Sequence, residues 1–340
     1  MKSDKLHRKK MTQSGLTVSV AMCTYNGEAF VGAQLESILK QSHPPDEVVV
    51  CDDGSSDQTV KIIQELVRAY PVPVRLIQNT KNLGAAKNHE KAINETCGDI
   101  IFPSDFDDCW FPDRIATTLP FFERNAAMVL VYCDAVLTDE KLNPVGKTVF
   151  SKRRALARGT ALAPEKLGRG ILFNGPMMVF RSELKRFIVP FSNQWSWDHW
   201  VGFLAYAFGE VGRIDRPLLY YRRHGNNRGR DPDLDGGFWH RWQAARKGSN
   251  LRNYTQRRRR WEHMLERFRQ IRDGSSFYSP QLEGLLNECE RCLRFARARE
   301  EQKGKARMLR AGYAVEHLVR GDYHRHAHGL KSLVQDVLIK

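Results

Sequence analysis

At 340 residues and 41% hydrophobic content, the chain is long and apolar enough to bury one sizeable α/β core and still carry an appended module. It has no 18-residue apolar run, and Met1 to Lys10 lack the apolar stretch of a signal peptide, so the sequence predicts neither a membrane span nor export. The net charge of +15 belongs to the two ends: residues 241–340 hold 23 Lys and Arg against 11 Asp and Glu, the first ten residues hold five against one, and the body between them is near neutral.

Taken in chain order, residues 1–15 read as a basic disordered tail. Leu16 to Met22 is a strand pattern, Ala29 to Lys40 has the helical spacing Phe30, Ala33, Ile38, Leu39, and Glu47 to Cys51 is a second strand. Ser56-Asp57 opens a helix through Ala69, Val72 to Ile77 gives a third strand, and Ala85 to about Thr96 a third helix. A strand at Ile100, a helix after Pro112 and a strand from Met128 to Cys133 complete the alternation. Such βα repeats predict a Rossmann-like, mostly parallel sheet flanked by helices, with ligands outside the carboxyl ends of the strands.

Lys141 to Gly170 is basic and irregular and reads as a loop or lid. Ile171 to Phe180 returns to a strand, Trp197 to Phe208 to a helix, and Val211 to Tyr221 to a last strand. From Gly237 the pattern is amphipathic helix, with a break near Gly274-Ser275-Ser276 and further breaks at Gly304 and Gly321. The expected domains are therefore residues 16–236, an α/β domain, and 237–340, a basic helical C-terminal module. The seven cysteines are an odd set, mostly in strands or helices, as reduced cytoplasmic thiols would be; Cys289 and Cys292 form a lone C-x-x-C that lacks the partners of a zinc site.

Four strand ends carry chemistry. After the strand at Ile100 comes Ser104-Asp105-Phe106-Asp107-Asp108-Cys109-Trp110. Three carboxylates in four positions repel one another, so a cation or polar ligand is expected to compensate them, and magnesium or manganese prefers such hard oxygens. An acidic loop capping the helix near Pro112 is the plainer alternative. After the first strand, Thr24-Tyr25-Asn26-Gly27 places polar groups and a permissive glycine at a turn. After the second, Asp52-Asp53-Gly54-Ser55-Ser56-Asp57 offers carboxylates to a base imide or ribose hydroxyl, while a capped turn accounts for Ser56 and Asp57 alone. After the third, Gly84 permits a close approach and Lys87 reaches a phosphate or is simply solvated.

These motifs, with Asn174-Gly175-Pro176-Met177-Met178, Trp197-Asp198-His199-Trp200 and Tyr221-Arg222-Arg223-His224-Gly225-Asn226-Asn227 further on, make residues 16 to about 228 resemble a family 2 glycosyltransferase. The resemblance is to inverting enzymes of the GT-A fold, in particular bacterial rhamnosyltransferases and related enzymes of surface polysaccharide assembly. It implies that Thr24, Tyr25, Asn26, Asp52, Asp53, Gly84, Lys87, Asp105, Asp107 and Arg222 bind the nucleotide sugar, a UDP- or dTDP-sugar. Asp105 would face the donor sugar. It further implies that Asp107, Asp108 and His224 hold Mg2+ or Mn2+, and that Asp198 is the general base toward a saccharide or lipid-linked glycan acceptor. Phe106 departs from the glutamine common at that place, and Asp198-His199 from the frequent His-Asp order.

Two other classes compete. A sugar-phosphate nucleotidylyltransferase shares the sheet and the metal, but needs a Gly-rich basic loop where this chain has Cys23 to Gly27. A nucleic-acid-binding protein is suggested by Arg257 to Arg260, but leaves the acidic strand ends unexplained, so nucleic acid is not an expected partner. Trp195, Trp197 and Trp200 suit a wall for sugar stacking. In the tail, Trp239, Trp242, Trp261, Leu265 and Phe268 interleave with arginines, which reads as a peripheral contact with the inner membrane surface, or equally as packing on the chain itself or in a homo-oligomer.

Overall fold

The computed structural model describes residues 15–152, 174–225, 250–274, 280–302, 305 and 307–322. The expected basic tail, most of the Lys141 to Gly170 loop, Trp239, Trp242 and Gly304 lie outside them. The chain divides into two units, one comprising residues 1–151, 173–191 and 209–224, the other 152–172, 192–208 and 225–340.

The first unit is built on a nine-stranded sheet of order β3-β2-β1-β4-β8-β6-β9-β5, with β7 paired to β6. Its first half follows the sequence pattern. β1 (Val18–Thr24), β2 (Glu47–Asp52), β3 (Val74–Gln78) and β4 (Ile100–Ser104) pair in parallel. β1 and β4 are buried along their whole length, as near-continuous apolar strands covered on both faces must be. The connecting helices are α1 (Val31–Leu39), α2 (Thr59–Leu66) and α3 (Ala85–Glu95). α1 buries Val31, Leu35, Ile38 and Leu39, one face of a helical period. α3 turns Asn88, His89, Ala92 and Ile93 inward, so two of its four buried side chains are polar.

The second half of the sheet is mixed. β5 (Cys109–Trp110) runs antiparallel to β9 (Glu210–Arg222), β6 (Met128–Thr138) runs parallel to β9, and β8 (Met178–Arg181) lies antiparallel between β4 and β6. α4 (Arg114–Glu123) joins β5 to β6. The loop expected from Lys141 begins instead with β7 (Pro144–Thr148), an antiparallel partner of β6, and one helical turn, α5 (Val149–Lys152). The sequence hid this strand because it is exposed on both faces and so carries no alternation. The strand expected from Ile171 is, over its described part, a 3-10 turn at Gly175–Met177 followed by β8, and a short helix α6 (Lys185–Ile188) follows.

This topology fixes the acidic loop at both ends. Asp105, Phe106, Asp107 and Asp108 are the four residues between the end of β4 and the start of β5. Because β5 pairs with Leu219 and Tyr220 of β9, the last residue of that strand, Arg222, is brought beside the same loop.

The second unit is helical: α7 (Trp197–Phe208), α8 (Asn250–Gly274), α9 (Pro280–Glu301) and α10 (Arg307–Val319). α8 packs against α9, and α9 against α7. Trp261, Met264, Leu265, Phe268 and Ile271 of α8 are buried, as are Leu282, Leu285, Leu286, Cys289, Cys292, Leu293, Phe295 and Ala296 of α9. Of the stripe expected to meet a membrane, the described members Trp261, Leu265 and Phe268 therefore form helical core, because the apolar face of one helix is covered by the other. The arginines beside them are paired: Arg258 with Glu262 and Glu300, Arg269 with Glu290, and Arg297 with Glu262. Of the three tryptophans expected to form a stacking wall, Trp195 and Trp197 are half-buried and Trp200 is withdrawn from the surface. Trp195 lies edge-on to Phe203 and Trp261 while its indole donates to the carbonyl of Arg260. No helix among the described residues is long and apolar enough to cross a membrane.

Candidate active site

The loops after β1 and β2 are stitched to each other. Asn26 takes a left-handed conformation (φ +45°), its amide donates to Ser55 Oγ, and its side-chain oxygen accepts from the Ser56 amide. Thr24 Oγ1 donates to Asp52 Oδ1 at 2.9 Å, and that carboxylate also accepts from the Ser55 hydroxyl and from the amides of Gly54 and Ser55. Tyr25, between them, is 41% exposed. Asp53 is buried and faces the start of α3: Oδ1 accepts from Asn79 Nδ2 and the Leu83 amide, Oδ2 from the Gly84 amide at 2.9 Å. A carboxylate at a helix N-terminus meets both the orphan amides and the positive end of the dipole. Gly84 adopts φ +82° there, and Lys87, one turn on, is ion-paired with Glu90 at 2.9 Å.

The loop after β4 is different. The carboxylates of Asp105, Asp107 and Asp108 offer oxygens all within 4.8 Å of one another. Asp105 Oδ1 stands 3.0 Å from Nε2 of the buried His89, placed for charge attraction though too oblique for a good hydrogen bond. Asp107 Oδ2 is 2.9 Å from His224 Nε2. Asp108 is buried, and its Oδ1 accepts only a long bond from the Arg222 amide, at 3.2 Å. Its Oδ2 is buried with no hydrogen-bond partner. Burial, with Asp107 and Asp105 alongside, pushes the Asp108 carboxyl well above its ordinary range, and burial raises that of Asp107 against the opposing pull of His224. Burial by itself would depress the His89 imidazole, yet its pKa stands well above the ordinary value through Cys23 and Asp105. Burial raises the Cys23 thiol as well.

The remaining wall of the loop is cationic and aromatic. Arg222 donates through Nε to the carbonyl of Asp107 and through Nη1 to that of Glu140, and its guanidinium lies 4.7 Å over the Phe30 ring, which also meets the ring of His224. Its described bonds hold the loop rather than reach outward. Arg114 is fully buried, stacks 4.1 Å over the Trp110 ring and donates to the carbonyl of Pro176. A Cβ on Gly27 would fall 2.3 Å from the Phe106 ring, so the glycine of the first motif leaves the space that the ring of the fourth one fills.

These observations bear on whether a hard divalent ion fits. A buried carboxylate oxygen without a partner is costly, and three clustered carboxylates with a bare oxygen form a donor set suited to such an ion. The site fits a divalent metal. Asp198 belongs to the second unit, in the first turn of α7. Burial would raise its carboxyl, but the His199 and Ser196 side chains hold it below its ordinary value of 3.8. Sequence reasoning missed His89 and Arg114. The inward-facing Asn88-His89 pair on α3 was the available signal for the first, and an arginine on the buried face of α4 for the second.

A sheet whose parallel half ends in such an acidic loop is the GT-A kind of α/β fold. The chain is similar to TarS residues 1–349 of S. aureus, solved in complex with UDP-GlcNAc, with a TM-score of 0.57, 17% identity and 94% of this chain covering 81% of that one. Residues 19–186, just under half of the chain, match Glycosyl transferase family 2. The chain is also similar to EpsE of Bacillus subtilis (strain 168), 36% identical over 129 residues that make up 37% of this chain and 46% of that protein. A third likeness is to the dTDP-rhamnosyl transferase RfbG of Shigella flexneri, 28% identical over 223 residues, 61% of this chain and 72% of that one. The match thus spans less than half the length of the first of these curated relatives.

Proposed function

We propose that this chain is an inverting glycosyltransferase, moving a hexose or deoxyhexose from a nucleoside-diphosphate donor to a saccharide acceptor in bacterial polysaccharide or cell-surface glycan synthesis. The observation that carries the reading is the buried, partnerless Asp108 Oδ2 inside a three-carboxylate loop at the carboxyl end of β4. Asp107, Asp108 and His224 would hold magnesium or manganese; such an ion, when bound, neutralises the charge of a departing diphosphate. Exposed Tyr25 and the turn built by Thr24, Asn26, Asp52 and Asp53 would bound the nucleoside end, with the two acids shaping the turn through the donors they already hold. Lys87 would release an exposed ion pair, worth little in water, for a phosphate.

An acceptor hydroxyl must lose its proton as it bonds to the anomeric carbon. Asp198 would take it, and a carboxyl held below its ordinary value is ionised at neutral pH and ready to do so. The similarity to the dTDP-rhamnosyl transferase RfbG and to TarS in complex with UDP-GlcNAc supports a UDP- or dTDP-linked donor. A test is binding and hydrolysis of a panel of UDP-, dTDP- and GDP-sugars with magnesium or manganese. Turnover of at least one is expected, and indifference to all of them would overturn the reading.

A lipid-linked acceptor would put the enzyme at the inner face of the cell membrane. The excess of Lys and Arg in residues 241–340 supports this, whereas the described apolar stripe of α8, being buried, does not. Salt-sensitive co-sedimentation with anionic liposomes is expected, and its absence would remove the membrane role.

A further inference from the structure

The last described helix of the second unit carries apolar side chains on two sides. Among the described residues six large hydrophobic side chains are exposed, and three of them lie on α10: Leu309, Val315 and Val319, at 63%, 58% and 82%. The others, Tyr25, Leu83 and Val145, are scattered over the first unit, so it is the clustering on one helix that calls for a partner. At 3.6 residues per turn, positions 309, 312, 315 and 319 fall within about 120° of the helix circumference. Gly312 shares that face, and a Cβ there would meet nothing within 4 Å. The packed side is elsewhere: Ala314 is fully buried, and the His317 ring lies 5.7 Å from that of Phe295 on α9. A surface helix ordinarily turns charged residues to its outer face. Here that face has at its edge one ion pair, Glu316 with Arg320 at 2.7 Å.

Area and charge decide what the face meets. A helix of 13 residues is about 20 Å long and about 10 Å wide, so its face offers roughly 200 Å2, a quarter of what each partner of a stable dimer buries. A second copy gains too little from it. From residue 302 to residue 315 the sequence holds Lys303, Lys305, Arg307 and Arg310 and no acid, inside a segment, 241–340, with a balance of +12. An apolar strip set among basic residues suits a boundary that is anionic outside and apolar beneath. A bilayer of anionic lipids is such a boundary: it needs no matching patch, takes up aliphatic side chains at the level of the headgroups and draws cations to its surface.

We propose that the outer face of α10, formed by Leu309, Gly312, Val315 and Val319, is the surface by which the chain lies on an anionic lipid bilayer, with the basic residues of 303–310 meeting the lipid phosphates. This rests on the membrane placement proposed above and narrows it to one helix, in place of the buried stripe of α8.

The experiment is co-sedimentation of the full-length protein, at low and high salt, with vesicles of equal parts phosphatidylglycerol and phosphatidylcholine and with vesicles of phosphatidylcholine alone. Leu309→Gln, Val315→Gln and Val319→Gln, combined in one variant, remove the apolar strip without changing charge or breaking the helix. Val145→Gln, which removes an exposed side chain from β7, is the control. Wild-type protein is expected to bind the mixed vesicles, and to bind them less at high salt. The triple variant is expected to bind at least about tenfold more weakly, the scale of two methylene groups withdrawn from the bilayer, and Val145→Gln to stay within about twofold of wild type. Undiminished binding by the triple variant would overturn the proposal, since charge elsewhere would then hold the protein, and equal binding to phosphatidylcholine alone would overturn the anionic partner. A dimer of the wild type in light scattering that the triple variant loses would give the face to a second copy. A melting temperature lowered by several degrees in the triple variant would show that residues 323–340 of the chain itself cover the face; either result overturns the proposal. Wild-type protein that binds neither kind of vesicle would overturn the membrane placement as a whole, a failure visible before any variant is made.

Discussion

Two acidic turns of the same sheet differ in how well their carboxylates are satisfied. In the turn after β2, Asp52 accepts four hydrogen bonds and Asp53 three, all from protein donors. In the loop after β4, Asp108 accepts one long bond and leaves a buried oxygen bare. Both turns carry adjacent aspartates, but the first spends its acids on building backbone and the second leaves its acids short of donors. A folded chain tolerates the second arrangement only where a bound group or function compensates it.

The sharpest way to break the comparison is to remove one acid from each turn. Asp108→Ala should abolish Mn2+-dependent UDP binding in calorimetry, a loss above about 100-fold. It should cost less than about 1 kcal/mol of stability, because it deletes a buried carboxyl short of donors rather than a satisfied one. A fall in melting temperature without loss of binding would put Asp108 among the building acids.

Asp198→Asn tests the group that stands in neither turn. Donor binding should remain, and transfer should fall by about 10² to 10⁴-fold. The pH dependence separates Asp198 from its neighbour. A carboxyl held below 3.8 stays ionised above that pH, and both its stabilising interaction and its capacity as a base are lost only as pH falls through the depressed value. The acid limb of transfer caused by this group should therefore lie below about pH 4, so a limb near pH 6 would shift the role to an imidazole, with His199 first.

Asp53→Ala is the converse of Asp108→Ala. Three bonds from Asn79, Leu83 and Gly84 are lost, two of them from amides at the entry to α3. A destabilisation of about 3 kcal/mol is expected in urea unfolding. Donor affinity should fall mainly as the turn loosens; full stability with abolished UDP binding would show that Asp53 acts on the ligand directly.

The sequence displayed the parallel half of the sheet well, because β1, β2 and β4 are apolar runs buried on both faces, a pattern local to each strand. It did not display the mixed half: β7 is exposed, and the pairing of β5 with β9 joins residues more than a hundred positions apart. The acidic loop was legible because three carboxylates in four positions are anomalous by themselves. Which acids are satisfied was not, since Asn79 and the Gly84 amide reach Asp53 only through tertiary structure. His89 went unread for the same reason, its partner Asp105 lying sixteen residues on. The aromatic stripe of α8 shows the opposite failure: Trp261 and Phe268 were legible as an apolar face, but only the fold showed α9 covering it.

The smallest effect concerns the two thiols that flank these turns. Cys51, just before Asp52, is fully buried and its thiol is pushed up to about 12 by burial, so it offers almost no thiolate. Cys109, just after Asp108, is half-buried; burial raises its thiol too, with the Ser37 hydroxyl and Arg222 opposing. Iodoacetamide at pH 8 should therefore label Cys109 several-fold faster than Cys51, as read by peptide mass spectrometry, with exposed Cys97 the internal reference. Adding Mn2+ and UDP should slow Cys109 alone, because the loop between β4 and β5 gains a ligand that supplies what Asp108 lacks. The turn after β2 is complete without one, so Cys51 should not respond. Protection of Cys51 and Cys109 to the same degree would mean that both turns tighten together on binding, and the division between building acids and binding acids would not hold.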